Sequence, residues 1–133
     1  MQSKVVHVAV GVIVRQQQVL LALRSSNQHQ GGKWEFPGGK VEPDETVAQA
    51  LTRELLEEVA INVTETSAFM QLEYAYPEKT VLLDIYLVTD FTGEPHGLEG
   101  QPLQWVNIAD LSSIKFPDAN RPIVERLQQH FKH

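Results

Sequence analysis

Apolar residues in this chain alternate or cluster in short runs, and in two places they recur with a helical period. Lys4 to Val14 is Val-rich, interrupted at His7 and Gly11, and Val19 to Arg24 is a second run, so both read as strands. Gln16-Gln17-Gln18 between them predicts a turn and therefore a hairpin. Ser25 to Lys33 is polar, contains Gly31-Gly32, and reads as a mobile loop leading into Trp34-Glu35-Phe36-Pro37-Gly38-Gly39. Further on, Ala68 to Tyr76 and Thr80 to Val88 predict two strands joined at Pro77-Glu78-Lys79, and Leu103 to Ile108 a short one after the Gly- and Pro-rich stretch Thr92 to Pro102. Val47, Leu51, Leu55 and Val59 recur every four positions, as one buried helical stripe does. Ile123 to Phe131 is a second amphipathic helix, with Pro122 placed for its first turn. Strands with two interspersed helices predict an α+β fold, a mixed sheet covered by helices on both sides.

The first helix carries the chemistry. Thr46 followed by Gln49 reads as a capping box, and Pro43-Asp44 just upstream is turn chemistry, so the helix should start near Thr46. Glu54, Glu57 and Glu58 then share one face, about 100° wide, beside the apolar stripe. A solvated acidic face is the plain alternative. A face built for stability, however, sets Lys four residues after Glu, whereas here Glu54 meets Glu58 at that spacing. The carboxylates also lie in the last turns, where the helix dipole disfavours anions by a few tenths of a kcal/mol each. Arg53 offers nearby relief, and Ala50, expected in the middle of this face, looks too small to block a ligand. Converging oxygen ligands suit a hard cation, Mg²⁺ or Mn²⁺.

Composition narrows the classes. At 133 residues the chain suits one domain with a sizeable core, and a single domain over 1–133 is the expectation. There is no Cys, which excludes disulfides, thiolate metal sites and a Cys nucleophile. The longest apolar run is far short of a membrane span and no signal-peptide pattern precedes it, so the expectation is a soluble, cytoplasmic monomer. A net charge of −6 argues against a nucleic-acid polymer as partner, while a small anion brought in by a metal remains compatible. A phosphate loop of the Walker type fails: Val41 follows Gly39-Lys40, and Trp34 stands where the earlier glycine belongs. Gly38-Gly39 either lets backbone approach a ligand or forms a plain tight turn. His7, His96, His130 and His133 show no zinc spacing.

Gly39, five residues, Glu45, seven residues, Arg53-Glu54-Leu55, one residue, Glu57-Glu58, one residue, Ala60-Ile61 resembles the signature box of the Nudix hydrolases. The departure is Ala60, where the family usually has Gly just past the helix end, which puts helix termination in question. The likeness extends to Lys33 through Gly39, Leu72-Glu73-Tyr74, Gly93-Glu94-Pro95, Glu99-Gly100-Gln101-Pro102 and Phe116-Pro117-Asp118-Ala119-Asn120. Together these runs are similar to family members that act on oxidised guanine nucleotides.

That resemblance implies the Nudix fold, and Mg²⁺ held by Glu54, Glu57, Glu58 and the Gly38 carbonyl, with Glu99 as a further carboxylate. Arg53 would orient the glutamates and Glu45 brace the loop. The implied reaction is attack of a metal-activated water on a nucleoside triphosphate, giving monophosphate and pyrophosphate. Glu54 is favoured as base and Glu99 second. Arg24, His29, Glu35, Phe36, Pro37 and Gly38 correspond to nucleotide contacts, although Phe36 fits a core position equally well. Asn120 stands where the resemblance puts the purine reader; by position alone it caps the last helix. Two other readings stay open: a Nudix enzyme for another nucleoside-diphosphate substrate, and a catalytically silent nucleotide-binding module.

Overall fold

The computed structural model describes residues 5–24 and 32–131. Within them the chain forms strands β1 (Val5–Arg15), β2 (Gln18–Leu23), β3 (Trp34–Glu35), β4 (Gly38–Lys40), β5 (Asn62–Ala75), β6 (Thr80–Thr92) and β7 (Leu103–Asn107), and helices α1 (Val47–Val59) and α2 (Arg121–His130). The sheet runs β3-β2-β1-β6-β5, with β4 added on β1 and β7 on β2. β1 and β6 are parallel and the other pairs antiparallel, so the sheet is mixed. The Ser25 to Lys33 loop expectation and His29 fall largely or wholly outside the described residues.

Both faces of the central strands are buried, which is why they read as continuous apolar runs. On β1, Val10 and Val12 join the core cluster that includes Ile123, Val124 and Leu127 of α2. Ala9 and Ile13 point the other way, into the cluster that holds Leu51, Leu55 and Val59 of α1. Gly11 lets α1 lie close, since a Cβ there would be 3.1 Å from methyls of both Leu51 and Leu55. Helices therefore cover both sides, in agreement with the sequence pattern.

The β1–β2 hairpin closes on two residues, Gln16 and Gln17, with φ of 52° and 66°. Paired left-handed residues match the twist of the flanking strands. β5 starts at Asn62 and β6 continues to Thr92, both beyond the apolar runs. Asn62 to Ser67 is a largely exposed stretch of an edge strand, defined by its backbone ladder to β6, so periodicity could not reveal it. Among the described residues no helix is long and apolar enough to cross a membrane.

The start of α1 follows the sequence: Thr46 Oγ1 accepts from Gln49 N–H at 3.1 Å, and Gln49 Oε1 accepts from Thr46 N–H at 2.9 Å. Its end takes the left-handed form that glycine usually supplies, although the residue is Ala. Ala60 adopts the left-handed conformation, φ 65° and ψ 28°, with its N–H donating to Leu56 O at 3.2 Å and Ile61 N–H to Leu55 O at 3.4 Å. An L-residue in that region costs about 1 kcal/mol relative to Gly. Ala60→Gly should therefore raise the melting temperature by roughly 4 °C. An unchanged or lower midpoint in a thermal melt would mean that glycine's extra chain entropy cancels the relief.

Candidate active site

The acidic face of α1 lies over β4, and glycine makes that possible. Gly38 and Gly39 pair with Val10 and Ala9 of β1. A Cβ on Gly38 would collide with the Ala9 carbonyl, and one on Gly39 would fall on the Glu54 carboxyl. The two glycines are thus a slot between β1 and α1 that admits the Glu54 side chain. They are neither a phosphate loop nor a plain turn. Ala50 corrects the sequence reading: it is fully buried among Ala9, Leu51 and Leu55, so it leaves no opening on the acidic face.

Arg53 ties the helix to the preceding loop. Its Nε and Nη2 donate to the two oxygens of Glu45 at 2.7 and 2.8 Å, and Nη2 also reaches Lys40 O at 3.2 Å. Nη1 donates to Glu54 Oε2 at 3.0 Å and Glu57 Oε1 at 3.3 Å. Glu45 in turn accepts from Glu42 N–H at 3.0 Å. The hydrogen bonds from Arg53 and from the Glu42 amide hold the Glu45 carboxyl down to about 2, so this brace stays charged across the physiological range.

The loop after β6 closes on the C-terminus of α1, whose last carbonyls have no intrahelical partner. His96 N–H donates to Val59 O and Leu98 N–H to Glu58 O, each at 3.1 Å. This docking carries Glu99 to the cavity that Glu54 and Glu58 also line. On the far side, Phe116 to Asn120 leads into α2. Asn120 is the residue before that helix, but its backbone is helical and its side chain makes no capping bond. The capping alternative is therefore not what the structure adopts.

A cavity of about 660 Å³ joins these parts. Val6, Val8 and Val10 of β1 with Val81 and Leu83 of β6 form its apolar floor; Phe36, Pro117, Ala119 and Asn120 line it, as do Arg24, Glu35, Gly38, Glu54, Glu58 and Glu99. Phe36 is buried and stacked on Phe116 at 5.3 Å, so it serves core and wall together. Arg24 is ion-paired with Glu35. Among the described residues, three expected ones are not on this wall. Arg53 stands behind it; Glu57, its side chain 61% exposed, shares the Arg53 Nη1 donor with Glu54; and Pro37 is buried, its carbonyl accepting from Gly11 N–H at 2.8 Å. Sequence reasoning gave no role to Lys40, Tyr76, Lys79 and Gln101, which also line it. Only Gln101 had a visible signal, its place in the Glu99-Gly100-Gln101-Pro102 run.

Four carboxyls, Glu35, Glu54, Glu58 and Glu99, gather on this wall. Burial pushes the Glu58 carboxyl up to about 8, with Glu35, Glu54 and Glu99 adding to the rise against a hydrogen bond from the Gly38 backbone. Burial also raises Glu54, opposed by Arg53 and reinforced by Glu57 and Glu99. Glu35 is raised by burial against the pull of Arg24. A set of gathered carboxylate oxygens with no thiol or imidazole among them fits a hard divalent cation. Among the described residues no three carboxylates are placed to close on one ion, so the arrangement is a matched electrostatic site short of a formed coordination shell.

Glu58 has a measurable consequence. A carboxyl raised in the folded state binds its proton there while the unfolded chain has released it, so metal-free stability falls as pH rises from about 4.5 to about 8. Glu58→Gln should remove that slope and raise the metal-free melting temperature at pH 8 by roughly 3 °C. Parallel melting curves of wild type and variant over this range would contradict the burial argument.

Known proteins extend this picture. The family model described as NUDIX domain matches residues 9–126. An 8-oxo-dGTP diphosphatase of Escherichia coli is 40% identical over 95% of this chain and 98% of its own length. A CTP pyrophosphohydrolase, also of Escherichia coli, is 35% identical over 92% and 90%. Among solved structures, a MutT described for Aliivibrio salmonicida and Vibrio cholerae aligns with a TM-score of 0.85 at 42% identity, covering 96% of this chain and 100% of that one. With the domain match over most of its length and a carboxylate-lined cleft in the place that the signature box dictates, this chain belongs to the Nudix hydrolase family.

Proposed function

We propose that this chain, acting as one Nudix domain over 1–133, hydrolyses 8-oxo-dGTP and 8-oxo-GTP to the monophosphate and pyrophosphate. In this reading it depends on Mg²⁺, with Mn²⁺ able to substitute, and acts as a cytoplasmic monomer that clears oxidised precursors before replication incorporates them. The observation that carries the reading is Asn120, a carboxamide with no capping bond, lining the same cavity as an apolar floor and four glutamates. Unoxidised guanine presents acceptors at O6 and N7. Oxidation at C8 puts a proton on N7, and the resulting acceptor–donor edge complements an Asn amide.

The residues divide the work along the cavity. Val6, Val8, Val10, Val81 and Leu83 supply an apolar surface for a planar base, and Asn120 reads its edge. Divalent ions held by Glu54, Glu57, Glu58, Glu99 and the Gly38 carbonyl would neutralise triphosphate charge and acidify a water. Glu54 takes the proton of the attacking water, with Glu99 second in line for that role. Arg53, fixed by Glu45, holds Glu54 in place from behind. Arg24, His29, Glu35, Phe36 and Pro37 complete the nucleotide-binding set.

The similarity to a CTP pyrophosphohydrolase favours one competitor, a pyrimidine triphosphate in the same cavity. A panel of oxidised and normal nucleoside triphosphates, with pyrophosphate and orthophosphate measured separately and Mg²⁺ present or withheld, decides between them. Preference for CTP over 8-oxo-dGTP, or release of orthophosphate alone, would overturn the assignment.

A further inference from the structure

Glu99 is exposed, on a loop without regular structure, and yet must keep station against two carboxylates on a helix. One side chain spans that gap. Gln101 Oε1 accepts from Glu99 N–H at 3.0 Å, and Gln101 Nε2 donates to Glu58 O at 3.1 Å. The amide cannot be turned over, because the flipped form would set its NH₂ against the Glu99 N–H and its oxygen against the Glu58 carbonyl. Gly97 confirms how closely the loop wraps this group: a Cβ there would strike the Gln101 carbonyl and lie 2.9 Å from Oε1. The anchor is also a polar link across 43 positions of sequence, part-buried, at a helix end that Leu98 N–H already helps to satisfy.

We propose that Gln101 is a positioning residue for the reaction, setting the main chain of Glu99 against that of Glu58 so that the two carboxylates share one cavity. The proposal rests on the reading of Glu99 as part of the catalytic set. A plain helix cap would need only the donor to Glu58. The second bond, to Glu99 itself, is what a positioning role requires and a cap does not. Displacements of about 1 Å at reacting groups can cost on the order of 10²-fold in rate, so a loop that loses this strut should turn over slowly while still binding nucleotide.

The test is a double-mutant cycle in the full chain with Gln101→Met, which keeps length and loses both hydrogen bonds, and Glu99→Gln. Kinetics are measured with 8-oxo-dGTP and Mg²⁺, and melting temperatures alongside. Gln101→Met should lower kcat by roughly tenfold or more with little change in KM. In the Glu99→Gln background the same replacement should cost less than about twofold, because the residue it positions is already gone. Losses that multiply in the double variant, or a Gln101→Met protein that melts lower but keeps its kcat, would reduce Gln101 to a cap and overturn the proposal. Wild-type kcat in Glu99→Gln alone would overturn the reading of Glu99 and the proposal with it, an outcome distinct from the other two.

Discussion

Glu54→Gln should lower kcat by about 10³-fold, the range expected when a general base is removed, while the protein stays folded. The side chain lies in the slot that Gly39 opens, against the β4 backbone, and accepts from Arg53 at 3.0 Å. A Gln there keeps the shape, and its carbonyl oxygen can still accept from the guanidinium. Burial disfavours the charged Glu54 carboxyl more than Arg53 favours it, so a neutral Gln relieves that cost and the melting temperature should not fall. Steady-state kinetics with a thermal melt on the same preparation check both halves. Activity within about tenfold of wild type would move the base to Glu99 and leave Glu54 as a ligand.

Asn120→Ala should act on selectivity more than on rate. The ratio of kcat/KM for 8-oxo-dGTP to that for dGTP should fall by about 10²-fold, since a site built around a hydrogen-bonding partner can discriminate by up to about 10⁴-fold. The glutamates of the cavity are untouched, so hydrolysis of a bound triphosphate should slow far less. The turn that carries Asn120 is held independently of its side chain. Asn120 N–H donates to Pro117 O at 2.9 Å, and Ala119 N–H to the Tyr76 hydroxyl at 3.1 Å. Equal losses on oxidised and normal substrates would defeat the idea that this amide reads the base.

The legible parts were those in which residue type and spacing act locally. Thr46 and Gln49 announce the start of α1 because both halves of the cap lie within four residues. The central strands stand out because burial on both faces leaves little room for polar residues. β3 and β4 escaped notice for the converse reason: at two and three residues they have no period, and their partners on β2 and β1 alone define them. The polar start of β5 was hidden likewise, as an edge exposes its side chains while its backbone pairs. Ala50 was misplaced because a helical wheel gives direction without saying which neighbour fills it; β1, far upstream, turned out to cover that spot.

By itself, then, the amino-acid order determined the two helices, the buried strands, the absence of thiol chemistry and a cluster of carboxylates that local stability does not explain. Those features depend on interactions within a few residues, which spacing records. The folded chain alone decided that Glu99 and Gln101 come into the cavity, that Gly39 is a berth for Glu54, and that Asn120 is spared from capping. Each of these arises from contacts between residues far apart in the chain. Such contacts are set by how sheet and helices pack, and no local pattern encodes them.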